Sequence, residues 1–316
     1  MRWMDYHIDI ESFAKSLSRI DAKKKQLDAL RPIPAIALKS IKESLTMEWT
    51  YNSNHIEGNT LTLQETQLIL QEGITVKGKS LREHFEAVNH NDAIEYVENL
   101  ATSAIDLRGR DVLDVHALVL QRIEKEFAGR YRTSGVRITN ANFVPPNALK
   151  VGGFIDELLA WVNSDALQLH PLVRAAIFHH RFVWIHPFFD GNGRTVRLAM
   201  NLMLMSHGYP PVIILKNDRK KYYEALNQAN KGNYHKLMLL MCQASERTLN
   251  IYLTALPDMD EDYQSITNIV KEPNIPYGQE YVSLLARQGK IDAHKEGRNW
   301  VTTKKAVEDY ILLKSQ

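Results

Sequence analysis

The sequence predicts a mainly helical protein with one short β-hairpin and a small C-terminal domain. Three observations lead there. Apolar residues recur at three- and four-residue spacing over most of the first 250 positions. Stop signals at Pro32, Pro34, Gly58, Gly73 and Gly208 cut that pattern into helices. An Asp-rich stretch from Pro257 to Asp262 then separates a last segment in which short strands alternate with helices. At 316 residues the chain can bury a sizeable core and still carry an appendage.

Residues 11 to 30 mix Lys, Asp and Leu at helical spacing, and the prolines at 32 and 34 stop that helix because proline lacks the amide hydrogen. From Ser40, the residues Ile41, Leu45, Trp49 and Ile56 mark a second helix with Gly58 as its stop. Thr62 followed by Glu65 is a capping box that opens a third, ending by Gly73. Residues 80 to 101, 111 to 125 and 147 to 163 are amphipathic helices. Between the last two, Ser134 to Val144 reads as the hairpin, with Val136, Ile138 and Phe143 set between asparagines and closed by Pro145 and Pro146. Pro171 opens a helix to about Ile185, and another runs from about Gly193 to Ser206. A helical stretch over 218 to 254 precedes the linker, and residues 263 to 316 read as helix, turn, helix, strand pair and helix. The expected domains are 1–105, 106–255 and 256–316.

Composition excludes several classes. The formal charge of +2 gives no overall field for nucleic acid, so any such contact needs a local patch. One cysteine, Cys242, rules out an intramolecular disulfide, and no secretion signal opens the chain, so a reducing cytoplasm is the expected compartment. No apolar run approaches the roughly 18 residues that span a bilayer, so no membrane is expected.

The chemistry is concentrated in His186-Pro187-Phe188-Phe189-Asp190-Gly191-Asn192-Gly193-Arg194-Thr195-Val196-Arg197. Gly191 and Gly193 let backbone approach a ligand, and the helix that follows offers free N–H groups and a positive end, an anion cradle. Arg194 and Arg197, three apart, suit phosphate oxygens. Asp190 can hold Mg²⁺ against those phosphates. His186 is the group able to take a proton near neutral pH. An Asp-Gly-Asn-Gly stretch also makes a plain turn, but a turn does not call for two arginines and a histidine. Gly191-x-Gly193 is not a dinucleotide fingerprint, since no strand precedes it and Val196 holds the third glycine's place. His179 and His180 are adjacent on a helix and face different ways, which suits packing better than a shared metal.

The segment resembles the Fic-family signature, H-x-F-x-[DE]-G-N-G-R-x-x-R, at every defined position. The resemblance covers about residues 40 to 245 and implies a Fic-type helical core with a β-hairpin flap. It implies a protein adenylyltransferase that moves AMP from ATP to a Tyr, Thr or Ser hydroxyl of a target protein. His186 would be the base and Asp190 the Mg²⁺ ligand, with Gly191, Asn192, Gly193, Arg194, Thr195 and Arg197 on ATP. Thr139, Asn140, Ala141 and Asn142 of the flap, and Tyr222, Tyr223 and Asn230 on the adenine side, are further candidate ATP contacts. An aromatic face stacks a purine and an Asn reads its edge.

Ser53-Asn54-His55-Ile56-Glu57-Gly58 resembles the family's inhibitory motif, [ST]-x-x-x-E-[GN]. Glu57 paired with Arg197 would withdraw that arginine from the γ-phosphate, and Ser53, one turn earlier, would brace the glutamate. In relatives the same glutamate can also serve removal of AMP. The C-terminal segment resembles winged helix-turn-helix domains of excisionase type, with Arg287, Lys290, Lys295, Arg298, Lys304 and Lys305 as a local basic surface. DNA is therefore a candidate partner, a protein-interaction or homodimer role fits the same domain equally, and the alternative function is a DNA-binding regulator whose Fic core senses nucleotide.

Overall fold

The computed structural model describes residues 6, 8–103, 106–138, 143–256 and 262–314. The chain folds into two compact units, one of residues 1–8 and 42–237 and one of residues 9–41 and 238–316. These units do not follow the three consecutive segments expected from the sequence. The reason is that the N-terminal helix α1 (Ala14–Ala29) is built into the C-terminal unit.

The first unit takes in α2 (Ala35–Ile56) from residue 42 on, and helices α3 (Leu63–Gln67), α4 (Leu81–Ala101), α5 (Gly109–Leu120), α6 (Val151–Val162), α7 (Pro171–Ile185), α8 (Asn192–Met205) and α9 (Arg219–Ala229). Their ends follow local chemistry. The Thr62 hydroxyl accepts from Glu65 N–H while the Glu65 carboxylate takes Thr62 N–H, and Gly73 at φ 66 ends the π-helical turn that continues α3. Ser80 and Glu83 repeat the capping box at α4. At the centre α7 and α8 pack together, and both pack into the layer that contains α4, α5 and α6. Every residue of α7 from Leu172 to Phe182 is buried, so this helix is enclosed on all sides, and its histidines need partners inside the core. His179 Nε2 lies 2.7 Å from Tyr222 OH, and His180 Nδ1 lies 2.7 Å from Tyr234 OH. Aliphatics such as Val112, Val115, Val119 and Leu120 are almost fully buried, each contributing roughly 1.5–3 kcal/mol.

The expected hairpin is a point of difference. Ser134 to Ile138 and Phe143 to Val144 carry no strand pairing, and Thr139 to Asn142 lie outside the described residues. A lone two-stranded hairpin is marginal by itself. Here the segment is held by other means: the buried Arg132 guanidinium donates to the Ser134, Pro146 and His186 carbonyls, and Phe143 stacks on Trp184.

In the second unit a three-stranded antiparallel sheet has the order β1 (Gln264–Ser265), β3 (Asn299–Thr302), β2 (Ala293–Glu296), with both Gln264 and Ala293 opposite Thr302. Gly297 at φ 61 turns β2 into β3. With α11 (Ile266–Ile269), α12 (Gln279–Arg287) and α13 (Lys304–Lys314), the sheet encloses a core of Ile266, Ile269, Val282, Leu285, Ile291, Val307 and Tyr310. The helix, strand-pair and helix order expected for this region is present. Helix α10 (His235–Thr254) spans the two units and contributes Glu246 and Asn250 to the second. Arg19 Nε pairs with buried Glu246 at 2.7 Å, and Lys23 Nζ meets Asp292 at 2.5 Å, Tyr263 OH at 2.8 Å and Asn250. Buried charges are stable only when paired in this way, which is why α1 cannot be separated from the C-terminal region. Among the described residues no helix is long and apolar enough to cross a membrane.

Candidate active site

His186 caps α7 in the left-handed conformation, φ 49 and ψ 63, rare for a residue with a Cβ and costly unless its surroundings enforce it. Those surroundings are Phe182 O, which accepts His186 N–H at 2.9 Å, and Arg132 Nε, which donates to His186 O at 2.8 Å. The imidazole is mostly buried, and Nδ1 has no hydrogen bond. Burial, with the Arg132 charge adding to it, pushes the His186 pKa down to about 4. The ring is therefore neutral and able to accept a proton at any pH near neutrality.

The loop is locked from inside. Phe188 is buried and stacks on His116, centroids 3.5 Å apart and planes within 4°. Asn192 spends both ends of its amide on Phe188, accepting its N–H and donating to its carbonyl, each at 2.9 Å. His116 Nδ1 accepts from Gly129 N–H, which leaves the proton on Nε2 for Asp190 O at 3.0 Å. Gly191 has φ 74, and a Cβ there would lie 3.3 Å from both His116 and Val119, so this turn needs glycine twice over.

Asp190 Oδ1 accepts Gly191 N–H at 2.6 Å and Oδ2 meets Arg82 Nη2 at 2.6 Å, with Arg194 Nη2 3.5 Å from both oxygens. Burial works against its ionisation, but Arg194, the Gly191 N–H and Arg82 outweigh it and hold the carboxyl below its usual range. Arg194 is itself buried, 3.2 Å from Glu86 Oε1 without hydrogen-bond alignment.

At the start of α8, Gly193 lies directly under Glu57: a Cβ on Gly193 would come within 2.1 Å of Glu57 Oε1. Glu57 follows the end of α2, where the helix dipole disfavours a carboxylate. Two positive features offset this, the N-terminal end of α8 and Arg197, whose Nη2 is 2.8 Å from Glu57 Oε1. Arg197 is 2% exposed; Nε donates to Ser53 Oγ at 3.0 Å and Nη2 to Ser53 O at 2.8 Å, while Nη1 is buried without a partner. Burial opposes the guanidinium's charge, and Glu57 more than restores it, so its pKa is raised. His90 and His179, buried nearby, are driven well below their ordinary pKa first by burial and then by this arginine.

The structure thus brings together His186, Asp190, Gly191, Gly193, Arg194, Arg197, Ser53 and Glu57. It revises several expectations. Ser53 braces Arg197, not Glu57, because its hydroxyl faces across to α8. The Asn192 side chain is committed to the loop, leaving only its backbone for a ligand. Thr195 is fully buried in α8, and its hydroxyl has no hydrogen-bond partner. Tyr222 is buried against His179 and presents no face for a purine, whereas Tyr223 is partly exposed, with Arg219 over its ring and its hydroxyl 3.3 Å from Ile56 O. Asn230 Oδ1 takes His180 Nε2–H at 2.8 Å. Arg82, Glu86, His116 and Arg132 belong to the site although no motif marks them. For Arg82 a signal existed, a cation in the first turn of a helix.

A helical core with a histidine, a carboxylate and two arginines around the N-terminal end of α8, where Glu57 lies, defines a Fic-type fold. A family model described as "Fic/DOC family" matches residues 106–204. A solved structure of Fic-1 from C. elegans is 32% identical with TM-score 0.70, covering 76% of this chain and 72% of that one. A Fic domain-containing signaling protein from Bacteroides thetaiotaomicron is 28% identical with TM-score 0.69, covering 76% of this chain and 96% of that one. "Protein adenylyltransferase Fic" of Drosophila yakuba is 37% identical over 278 residues, 88% of this chain and 56% of that protein. The chain spans about half the length of the curated relatives it matches. It belongs to the Fic/DOC family.

Proposed function

We propose that the protein is an adenylyltransferase that moves AMP from ATP onto a protein hydroxyl, and that Glu57 holds it off at rest. The observation that carries this is the convergence of neutral His186, the Asp190 carboxylate and the α8 N-terminus on one small region, with Glu57 lying over Gly193 inside it. Relatives named as adenylyltransferases support the same reading.

His186 takes the proton of the attacking hydroxyl; the oxygen forms a bond to the α-phosphorus, and the bond to the bridging oxygen breaks, releasing pyrophosphate. The free N–H groups of α8 at Gly193 and Arg194 face the phosphates, and Arg197, once free of Glu57, binds the outer ones. Asp190, a single carboxylate beside a positive helix end, suits a Mg²⁺ carried in by phosphates, with Oδ2 as the oxygen that would hold it and phosphate charge neutralised as the result. Relatives' use of this glutamate suggests a second role for Glu57 in the same reading, orienting a water for removal of AMP. Tyr223 and Asn230 remain the candidates for the adenine side.

A DNA-binding regulator gains no specific observation. Two of the basic residues behind that reading are engaged, Lys304 with Glu272 at 3.2 Å and Lys295 over the Trp300 ring. The test uses ATP labelled at the α-phosphate and a Glu57→Gly background. Label should enter protein, and should be lost with His186→Ala; label that persists in the histidine variant contradicts the assigned base.

A further inference from the structure

Arg82 stands where helix electrostatics argue against it. It is the second residue of α4, after the Ser80 cap, where the positive helix end disfavours a cation. Three carboxylates fix its guanidinium: Nη2 is 2.6 Å from Asp190 Oδ2, Nη1 is 2.9 Å from Glu124 Oε1, and Nε is 3.5 Å from Glu86 Oε1. The Asp190 contact falls on the important atom. Oδ1 is already turned to Gly191 N–H, so Oδ2 is the oxygen left for a cation, and Arg82 covers it.

The two arginines at Asp190 differ in their freedom. Arg194 is 2% exposed, enclosed in α8, and no closer than 3.5 Å to the carboxylate. The Arg82 side chain is 47% exposed, and Glu124 gives it a second anchor on the far side. Arg82 can therefore leave Asp190 without losing all its partners. A divalent cation brings two charges and the oxygens of the phosphates it carries, so it outcompetes a guanidinium for one carboxylate oxygen.

We infer that Arg82 is an exchangeable cover on Asp190: it neutralises the carboxylate at rest, yields Oδ2 to the divalent cation that arrives with a nucleotide, and stays tethered by Glu124. This rests on the nucleotide-site reading. It adds a second restraint separate from Glu57, acting on the cation where Glu57 acts on Arg197. The apparent cation affinity is then set by Arg82, with the modest size that a half-exposed ion pair supports.

The test measures Mn²⁺ binding to the full chain carrying Glu57→Gly as the further loss of the free Mn²⁺ electron paramagnetic resonance signal when protein is added to a fixed mixture of Mn²⁺ and a non-hydrolysable ATP analogue. Arg82→Ala and Arg82→Gln should each tighten Mn²⁺ binding about three- to fivefold. Glu124→Gln, which leaves Arg82 more fully committed to Asp190, should weaken it. Unchanged or weaker Mn²⁺ binding in both folded Arg82 variants overturns the inference and makes the arginine a brace of the loop. If the Glu57→Gly parent binds no Mn²⁺ with the analogue, the nucleotide-site reading itself falls, and the inference with it.

Discussion

Replacing Gly193 with alanine probes the contact between α2 and α8 without any substrate. A Cβ at this position would lie 2.1 Å from Glu57 Oε1, while real carbon–oxygen contacts need more than 3 Å, so the carboxylate must retreat by about 1 Å. That shift stretches the 2.8 Å pair with Arg197 beyond hydrogen-bond range. Hydrogen bonds to charged groups contribute about 1.5–3 kcal/mol, and the partial exposure of Glu57 lowers the figure to about 1–2 kcal/mol. Acting the other way, alanine is a better helix former than glycine by up to about 1 kcal/mol. In the wild-type background the substitution should therefore be neutral to mildly destabilising. In a Glu57→Gly background, where the Glu57 clash is gone and only the 3.0 Å approach of Arg197 Nη1 has to give, the same substitution should cost less or stabilise. Chemical denaturation of the four proteins gives the coupling directly, about 1–2 kcal/mol. Additivity within about 0.5 kcal/mol would refute the placement of Glu57 over Gly193.

Other expectations follow from the same geometry. The His186 pKa of about 4 means that the base form is present throughout pH 5.5 to 7.5 and is lost only as pH falls through about 4, so transfer by Glu57→Gly should change little over that window; a decline centred near 6.5 would contradict the burial argument. Arg132→Ala removes four hydrogen bonds to carbonyls, including His186 O, and should lower both the melting temperature and the transfer rate. Arg132→Lys should restore neither, because one ammonium cannot reproduce a planar fork of donors. His116→Phe keeps the stacking on Phe188 but loses both the bond to Asp190 O and the acceptor for Gly129 N–H, so it should lower kcat and melting temperature together; an unchanged kcat would contradict the role of His116 in holding the loop.

What could be read from the chain was what is local in it. The signature from His186 to Arg197 and the Ser53 to Glu57 motif each lie within a few turns, and the capping box at Thr62 falls where residue chemistry alone places a helix start. What could not be read was supplied at long range. Arg132 and Arg82 reach the loop from 54 and 108 residues away; a cation in the first turn of α4 marks Arg82 as unusual, but nothing near either residue records which carbonyls or carboxylates it will meet. Tyr222 and Tyr223 are adjacent with the same chemistry, and only the packing of α9 on α7 decides that the first is buried on His179. The alternation at Val136, Ile138 and Phe143 suggested strand pairing, but Phe143 finds its partner in Trp184 of α7. The merger of α1 with the C-terminal region depends on the buried Lys23 and Arg19 pairs, which look in sequence like an ordinary charged helix face.

The central claim is that a competent site is held off by one carboxylate. The direct measurement compares label transfer from α-labelled ATP by wild type and by Glu57→Gly at ATP below saturation. Freeing Arg197 from a pair of about 1.4 kcal/mol or more raises the competent fraction about tenfold or more, and the account predicts an increase of at least that order. Equal rates for the two proteins would contradict it.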